Sequence, residues 1–262
     1  MRLFFCYFVC LFSLSLSAQM PLSRAHAHND YRHDRPLQEA LENGFTSVEA
    51  DVFLIDTTLY VYHNKPGNPS AERTLEKLYL QPLKAWIDAH QGMVYQGYGH
   101  FFYLMIDFKT DAVPTYRQLK QLLYKYSDFI SIVRDGVEED KPVKVFISGN
   151  RPVEAVLQET EVIAALDGRP GDLGADFPPS LMPVVSDHYK QFFRWRRKGR
   201  VSKKHRKQLE VFVNQAHAEG KKVRLWAAPD NPAAWQFLLE MGVDLINTDH
   251  LSELKDYLLK RR

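Results

Sequence analysis

Arg24-Ala25-His26-Ala27-His28 and Ser47-Val48-Glu49-Ala50-Asp51 are two short runs in which apolar and polar residues alternate. Between them Pro36–Glu42 places Leu37, Ala40 and Leu41 on one side of a short helix. Strand, helix, strand within about 30 residues is the unit from which parallel sheets are built. The pattern continues outward. Further strands are expected at Leu59–His63, Phe102–Lys109, Val143–Ser148, Glu161–Leu166, Val223–Ala227 and Asp244–Thr248. Helices are expected at Tyr116–Tyr126, at Lys203–Glu219 before Gly220, and at Pro232–Met241 before Gly242. Eight strands interleaved with helices predict an α/β fold, a single (β/α)₈ TIM barrel. An open doubly wound sheet fits less well, because no Gly-rich phosphate fingerprint follows any strand.

In such a barrel the site lies at the C-terminal strand ends. Those ends carry His26 and His28, Glu49 and Asp51, His63, and Asp107 and Lys109. Further round come Ser148 and Arg151, Trp226 and Asp230, and Thr248 and Asp249. Residues two apart on a strand share a face, so Glu49 and Asp51 point together, as do Asp107 and Lys109. Three carboxylates meeting in one pocket repel one another unless a cation neutralises them. Oxygen ligands without thiolates suit one divalent cation, Ca²⁺ or Mg²⁺. His28 and His63 beside it supply groups that titrate near neutral pH, suited to acid/base work. The bland readings are a helix cap for Asp249 and a core position for Trp226.

The flanks carry other information. Arg2 precedes an apolar and serine-rich run, Leu3–Leu16, and Ser15-Leu16-Ser17-Ala18-Gln19 follows as a cleavage site. Residues 1–18 therefore read as a secretory signal peptide, with residues 19–262 as one exported domain, periplasmic or extracellular. Both cysteines, Cys6 and Cys10, fall within the signal, so the exported domain has neither disulfides nor thiolate metal sites. The net charge of +2 does not point to nucleic acid. The charge is nevertheless segregated: Arg194–Lys207 holds nine Lys or Arg and no acid, against 25 basic and 32 acidic residues elsewhere. Such a run is usually a solvated face. With Phe192, Phe193 and Trp195 alongside, it is also a candidate contact for an anionic membrane surface.

The order His28, Glu49-x-Asp51, His63 and Asp107-x-Lys109 resembles the glycerophosphodiester phosphodiesterases and the related phosphatidylinositol phospholipase C-like barrels. His26-Ala27-His28-Asn29-Asp30-Tyr31, Leu104 to Thr110, Asp167-Gly168-Arg169 and Val223-Arg224-Leu225-Trp226 extend it over most of the chain. It looks closest to the branch of bacterial secreted proteins and fungal altered-inheritance-of-mitochondria proteins. The resemblance implies a divalent cation on Glu49, Asp51 and Asp107, with His28 and His63 as the acid/base pair on a phosphodiester. The substrate would be a small-molecule or lipid phosphodiester. Family members usually carry Arg after the first histidine, Asp after the second, and Glu as the third acid; here these are Asn29, Asn64 and Asp107. Asn29, Lys109, Arg151 and Trp226 are the substrate-binding candidates, with Arg32 a further source of a phosphate contact. His26 precedes His28 on the same face and is expected deeper, as a support or secondary ligand.

Two other classes compete. A His-x-His metal hydrolase would need further histidines at later strand ends, and His90, His100, His188, His205, His217 and His250 are not expected there. A catalytically silent barrel would bind anionic lipid or polymer without turning it over.

Overall fold

The computed structural model describes residues 19–192 and 201–261. Eight parallel strands form one ring. In chain order they are β1 (Leu22–Ala27), β2 (Phe45–Ile55), β3 (Phe102–Phe108), β4 (Val143–Gly149), β5 (Ala165–Gly168), β6 (Val184–His188), β7 (Lys222–Trp226) and β8 (Ile246–Thr248). Each pairs with its neighbours in sequence order, β8 pairs with β1, and a parallel bridge from Arg224 to Leu245 nearly closes the ring. Helices α1 (Gln38–Glu42), α2 (Gln81–Ala89), α3 (Ala112–Tyr124), α4 (Val153–Leu157), α5 (Tyr189–Phe192), α6 (Lys203–Ala218), α7 (Pro232–Glu240) and α8 (Leu251–Leu259) alternate with the strands. The expected (β/α)₈ barrel is the fold observed. No described helix is long and apolar enough to cross a membrane.

Strand alternation sorts the side chains into two environments. Val48, Ala50, Val52, Leu104, Ile106, Val145 and Ile147 face outward into the main core, with Leu83, Leu119, Leu209, Trp235 and Leu254 from the helices. The lower interior is a separate apolar plug of Tyr103, Met105, Phe146, Ala165, Val184 and Leu245. Above it the inward positions turn polar, through Ser47, Glu49 and Asp51 on β2 and Arg224 on β7.

Four expectations about the elements are corrected. Leu59–His63 is not a barrel strand. Thr58–Val61 turns back at Asp56–Thr57 and pairs antiparallel with the outer end of β2, Val52 opposite Val61. Glu161–Leu166 spans two elements, because Glu161–Val162 joins a small antiparallel side sheet with Val133–Arg134 before β5 begins. The sixth barrel strand, Val184–His188, was not expected; only two of its residues are apolar, and Ser186 serves the polar interior, donating to Asp167. His188 therefore does end a central strand. The third helix also starts earlier than expected, at Ala112, since Pro114 fits a first turn whose N–H groups have no helical partner.

Gly149 ends β4 with φ of +67°, and a Cβ there would collide with Asp107 Oδ1 and the Phe108 carbonyl. Gly149→Ala should therefore cost about 1–3 kcal/mol, from the unfavourable φ and the collision together. It should also displace Asp107, so a fall in melting temperature accompanied by weakened divalent-cation binding is the expected outcome.

Candidate active site

A cleft of about 540 Å³ opens at the C-terminal strand ends, lined among others by His28, Asn29, Glu49, Asp51, His63, Asp107 and Lys109. Lateral register produces this convergence: Asp51 on β2 lies opposite Asp107 on β3, and Asp107 lies opposite Ser148 on β4. One oxygen each from Glu49, Asp51 and Asp107 falls within 4.8 Å of the others. Two oxygens bound to a single cation at roughly 2.4 Å can be no further apart than about that distance. Asp51 Oδ1 is buried with no hydrogen-bond partner, an oxygen that a cation would satisfy. The donor set thus fits a hard divalent cation held by these three carboxylates.

Counter-charges surround the cluster. Lys109 Nζ lies 3.1 Å from Asp51 Oδ2 and 2.9 Å from Asp107 Oδ1. Arg224, almost wholly buried, reaches Glu49 Oε2 at 3.3 Å. Burial opposes ionisation of Glu49, but the His26 hydrogen bond and the Arg224 charge outweigh it and hold its pKa below the ordinary carboxylate range. Burial and the Glu49 charge push Asp51 upward, and burial does the same to Asp107. Burial works against the charge of Lys109, yet Asp107 and Asp51 raise its pKa.

The two histidines have different supports. His28 Nδ1 lies 2.8 Å from Asp249 Oδ1, which puts the proton on Nδ1 and leaves Nε2 as the basic nitrogen, 3.3 Å from Asn29 Nδ2. Burial disfavours its charged form, but the hydrogen bond to Asp249 and the charges of Glu49 and Asp249 prevail and raise its pKa. Asp249 is therefore the partner of His28, and no side-chain cap bond starts α8, so the bland reading of Asp249 as a helix cap does not hold. His63 follows the hairpin rather than a barrel strand. The turn folds it back so that Nδ1 lies 3.3 Å from Asp51 Oδ2. The Tyr31 hydroxyl joins the two sides of this arrangement, 2.7 Å from Asp51 Oδ2, 2.6 Å from Asn29 Oδ1 and 3.0 Å from His63 Nδ1. The Asn29–Leu37 turn that carries Tyr31 places Asn29 and Leu37 at positive φ. It is pinned by buried Asp30, which accepts from the Leu37 N–H at 2.6 Å and from the Tyr79 hydroxyl at 2.9 Å.

Most of the expected site residues meet here. His26 is deeper, as expected, with Nδ1 2.7 Å from Ser47 Oγ and Nε2 3.4 Å from Glu49 Oε2. Both ring nitrogens are engaged in holding β2, which disfavours a His-x-His metal pair. Trp226 is 38% exposed and lines the cleft, its ring centroid 4.1 Å from that of His188. Arg151 is the exception. Its guanidinium donates to the Asp167 carbonyl at 2.7 Å and to Asp172 at 2.9 Å, and it is absent from the cleft lining. Arg169 and Arg224 line the cleft instead. The spacing rule that pairs Glu49 with Asp51 also pairs Asp167 with Arg169 and Arg224 with Trp226, so a signal for both arginines was present.

The family description "AIM6-like phosphodiesterase domain" matches residues 15–164, and "Glycerophosphoryl diester phosphodiesterase family" matches residues 222–252. The chain belongs to the AIM6-like phosphodiesterase domain family. It is 30% identical over 277 residues to altered inheritance of mitochondria protein 6 of Lachancea thermotolerans, covering 88% of this chain and 64% of that protein. The Eremothecium gossypii protein of the same name is 30% identical over 272 residues, covering 90% and 69%. This chain thus spans about two thirds of the length of these relatives. Two solved structures share the fold. A glycerophosphodiester phosphodiesterase from Parabacteroides distasonis has a TM-score of 0.55 at 16% identity, covering 92% of this chain and 99% of the other. An Oleispira antarctica phosphodiesterase in complex with the product sn-glycerol-3-phosphate has 0.53 at 15%, covering 90% and 97%.

His26 makes this fold sensitive to acid. Burial lowers its pKa from 6.5 to about 4. Between those values the unfolded chain binds a proton that the folded chain refuses, so stability falls as pH drops through the window. The loss is on the order of 3 kcal/mol. In His26→Gln this part of the slope should vanish, which urea denaturation of both proteins at neutral and at acidic pH would register.

Proposed function

We propose that this chain is an exported, metal-dependent phosphoric diester hydrolase acting on a glycerophosphodiester or a substrate like a phospholipid headgroup. The observation that carries the reading is the flanking of one three-carboxylate cluster by two histidines from different elements, within a single cleft. Glu49, Asp51 and Asp107 would hold one Ca²⁺ or Mg²⁺, which polarises a phosphoryl oxygen and offsets its charge. In-line displacement at phosphorus needs a base on the attacking oxygen and an acid on the leaving oxygen, on opposite sides. His28 takes the first role: Asp249 orients its ring and stabilises the imidazolium that forms when Nε2 accepts a proton. His63 takes the second, steadied by Asp51 and Tyr31. Lys109, held between two of the acids, is the cation placed to meet a phosphate oxygen where Asn29 replaces the usual arginine.

The secretory reading of residues 1–18 is the basis for proposing export; those residues lie outside the described ones. So do residues 193–200, which hold Phe193 and the part 194–200 of the basic segment Arg194–Lys207. Its described remainder, Lys203, Lys204, Arg206 and Lys207, is exposed on the first turns of α6. That helix runs antiparallel to β6 and so begins at the catalytic end of the barrel. An anionic lipid surface is the proposed contact, and charge reversal of these four residues should abolish salt-sensitive sedimentation with anionic vesicles.

Glu49→Gln should remove divalent-cation binding in calorimetry while the circular dichroism stays native; unchanged Ca²⁺ and Mg²⁺ affinity would refute the ligand assignment. His28→Ala and His63→Ala should each lose about 10²–10⁴-fold in rate. The His63 variant should recover on diesters with a p-nitrophenol leaving group, which needs no protonation. Equal losses on good and poor leaving groups in both variants would overturn the division of roles.

A further inference from the structure

Arg169 stands on the wall of the cleft formed by β5, across the ring from His28 on β1. Its Nη1 is fully used, donating to Asp167 Oδ2 at 2.7 Å, to the Gly168 carbonyl at 2.9 Å and to the Asp167 carbonyl at 3.3 Å. Nη2 donates to Ser148 Oγ at 3.2 Å. The guanidinium is thereby fixed in one orientation on the cleft wall. A fixed fork of donors needs no further ordering when it meets oxygen acceptors. In the same cleft, the Asn150 Nδ2 donates to the Thr110 carbonyl at 3.0 Å, which leaves Oδ1 as an acceptor. A fixed donor and an acceptor lining one cleft suit a hydroxyl group, which both accepts and donates. A trimethylammonium group can do neither.

The chemistry of the wall points the same way: Arg169 is a fixed guanidinium lining the cleft, and a quaternary ammonium group cannot accept a hydrogen bond from it.

We propose that Arg169, with Asn150, reads the non-reacting alcohol of the substrate, and that the cleft takes diesters of neutral polyols in preference to quaternary-ammonium ones. This rests on the phosphodiesterase reading above. Full-length exported protein with Ca²⁺ or Mg²⁺ is assayed on glycerophosphoglycerol, glycerophosphoinositol, glycerophosphocholine and bis(p-nitrophenyl) phosphate. The expected kcat/KM on the two polyol diesters exceeds that on the choline diester at least about tenfold, the scale of one charge-assisted contact. Arg169→Gln should bring the ratio close to one, chiefly through KM, and Arg169→Lys should keep it. Asn150→Ala, at an exposed position, should shrink the ratio without touching the buried Asp167 network. Hydrolysis of all four substrates with no headgroup preference, or a preference that survives both Arg169→Gln and Asn150→Ala, overturns this proposal alone. No hydrolysis of any diester, the aryl one included, removes the phosphodiesterase reading and this proposal with it.

Discussion

The barrel has to bury several negative charges at the top of its own interior. Glu49 and Asp51 are 5% and 1% exposed, and Asp107 stands directly beside Asp51 in the sheet. Removing such groups from water is expensive, and mutual repulsion adds to the cost unless each has a cationic or hydrogen-bonding partner. The surrounding structure answers that constraint residue by residue. Lys109 bridges two of the acids, and Arg224 and buried His26 meet the third. Arg224 in turn reaches Asp167 at 3.7 Å, and Asp167 also accepts from Ser148, Ser186 and Arg169. Polar bonding thus runs from β2 through β7 and β6 to β5 and β4. The apolar plug below gives this layer a dry floor.

The same constraint explains what could be read from the residues in chain order. Glu49-x-Asp51 and Asp107-x-Lys109 lie on strands whose outward positions are continuously apolar, so both the strand and the shared face are visible in one dimension. Asp167 and Ser186 belong to the same layer, but their strands are short and polar inward. The sequence pattern therefore places β5 too early and carries no signal for β6. Arg151 follows a strand expected to end at Ser148, yet Gly149 turns the chain and Arg151 spends its donors on Asp167 and Asp172. Partnerships between residues 221 positions apart, such as His28 with Asp249, depend on closure of the ring and leave no local trace.

Tyr31 shows how a turn can do what a strand cannot. Its hydroxyl sits among Asn29, Asp51 and His63, linking three segments of chain at one oxygen. The turn is held in an unfavourable backbone shape by Asp30, whose carboxyl is pushed up to about 7 by burial. Strain of this kind persists only where surrounding bonds over-determine it, and here they include a backbone N–H and a buried tyrosine.

The two histidines stand on supports of unequal permanence. His28 follows β1 directly and cannot move without disturbing the closure between β1 and β8. His63 rides on a two-stranded extension that lies outside the ring, so the hairpin and the loop after it can be lengthened, shortened or exchanged without altering strand number or register. The barrel therefore separates a fixed half of its cleft from an adaptable one: the three clustered acids and His28 are locked to the architecture, whereas the reach of His63 is free to diverge with the length of the hairpin that carries it.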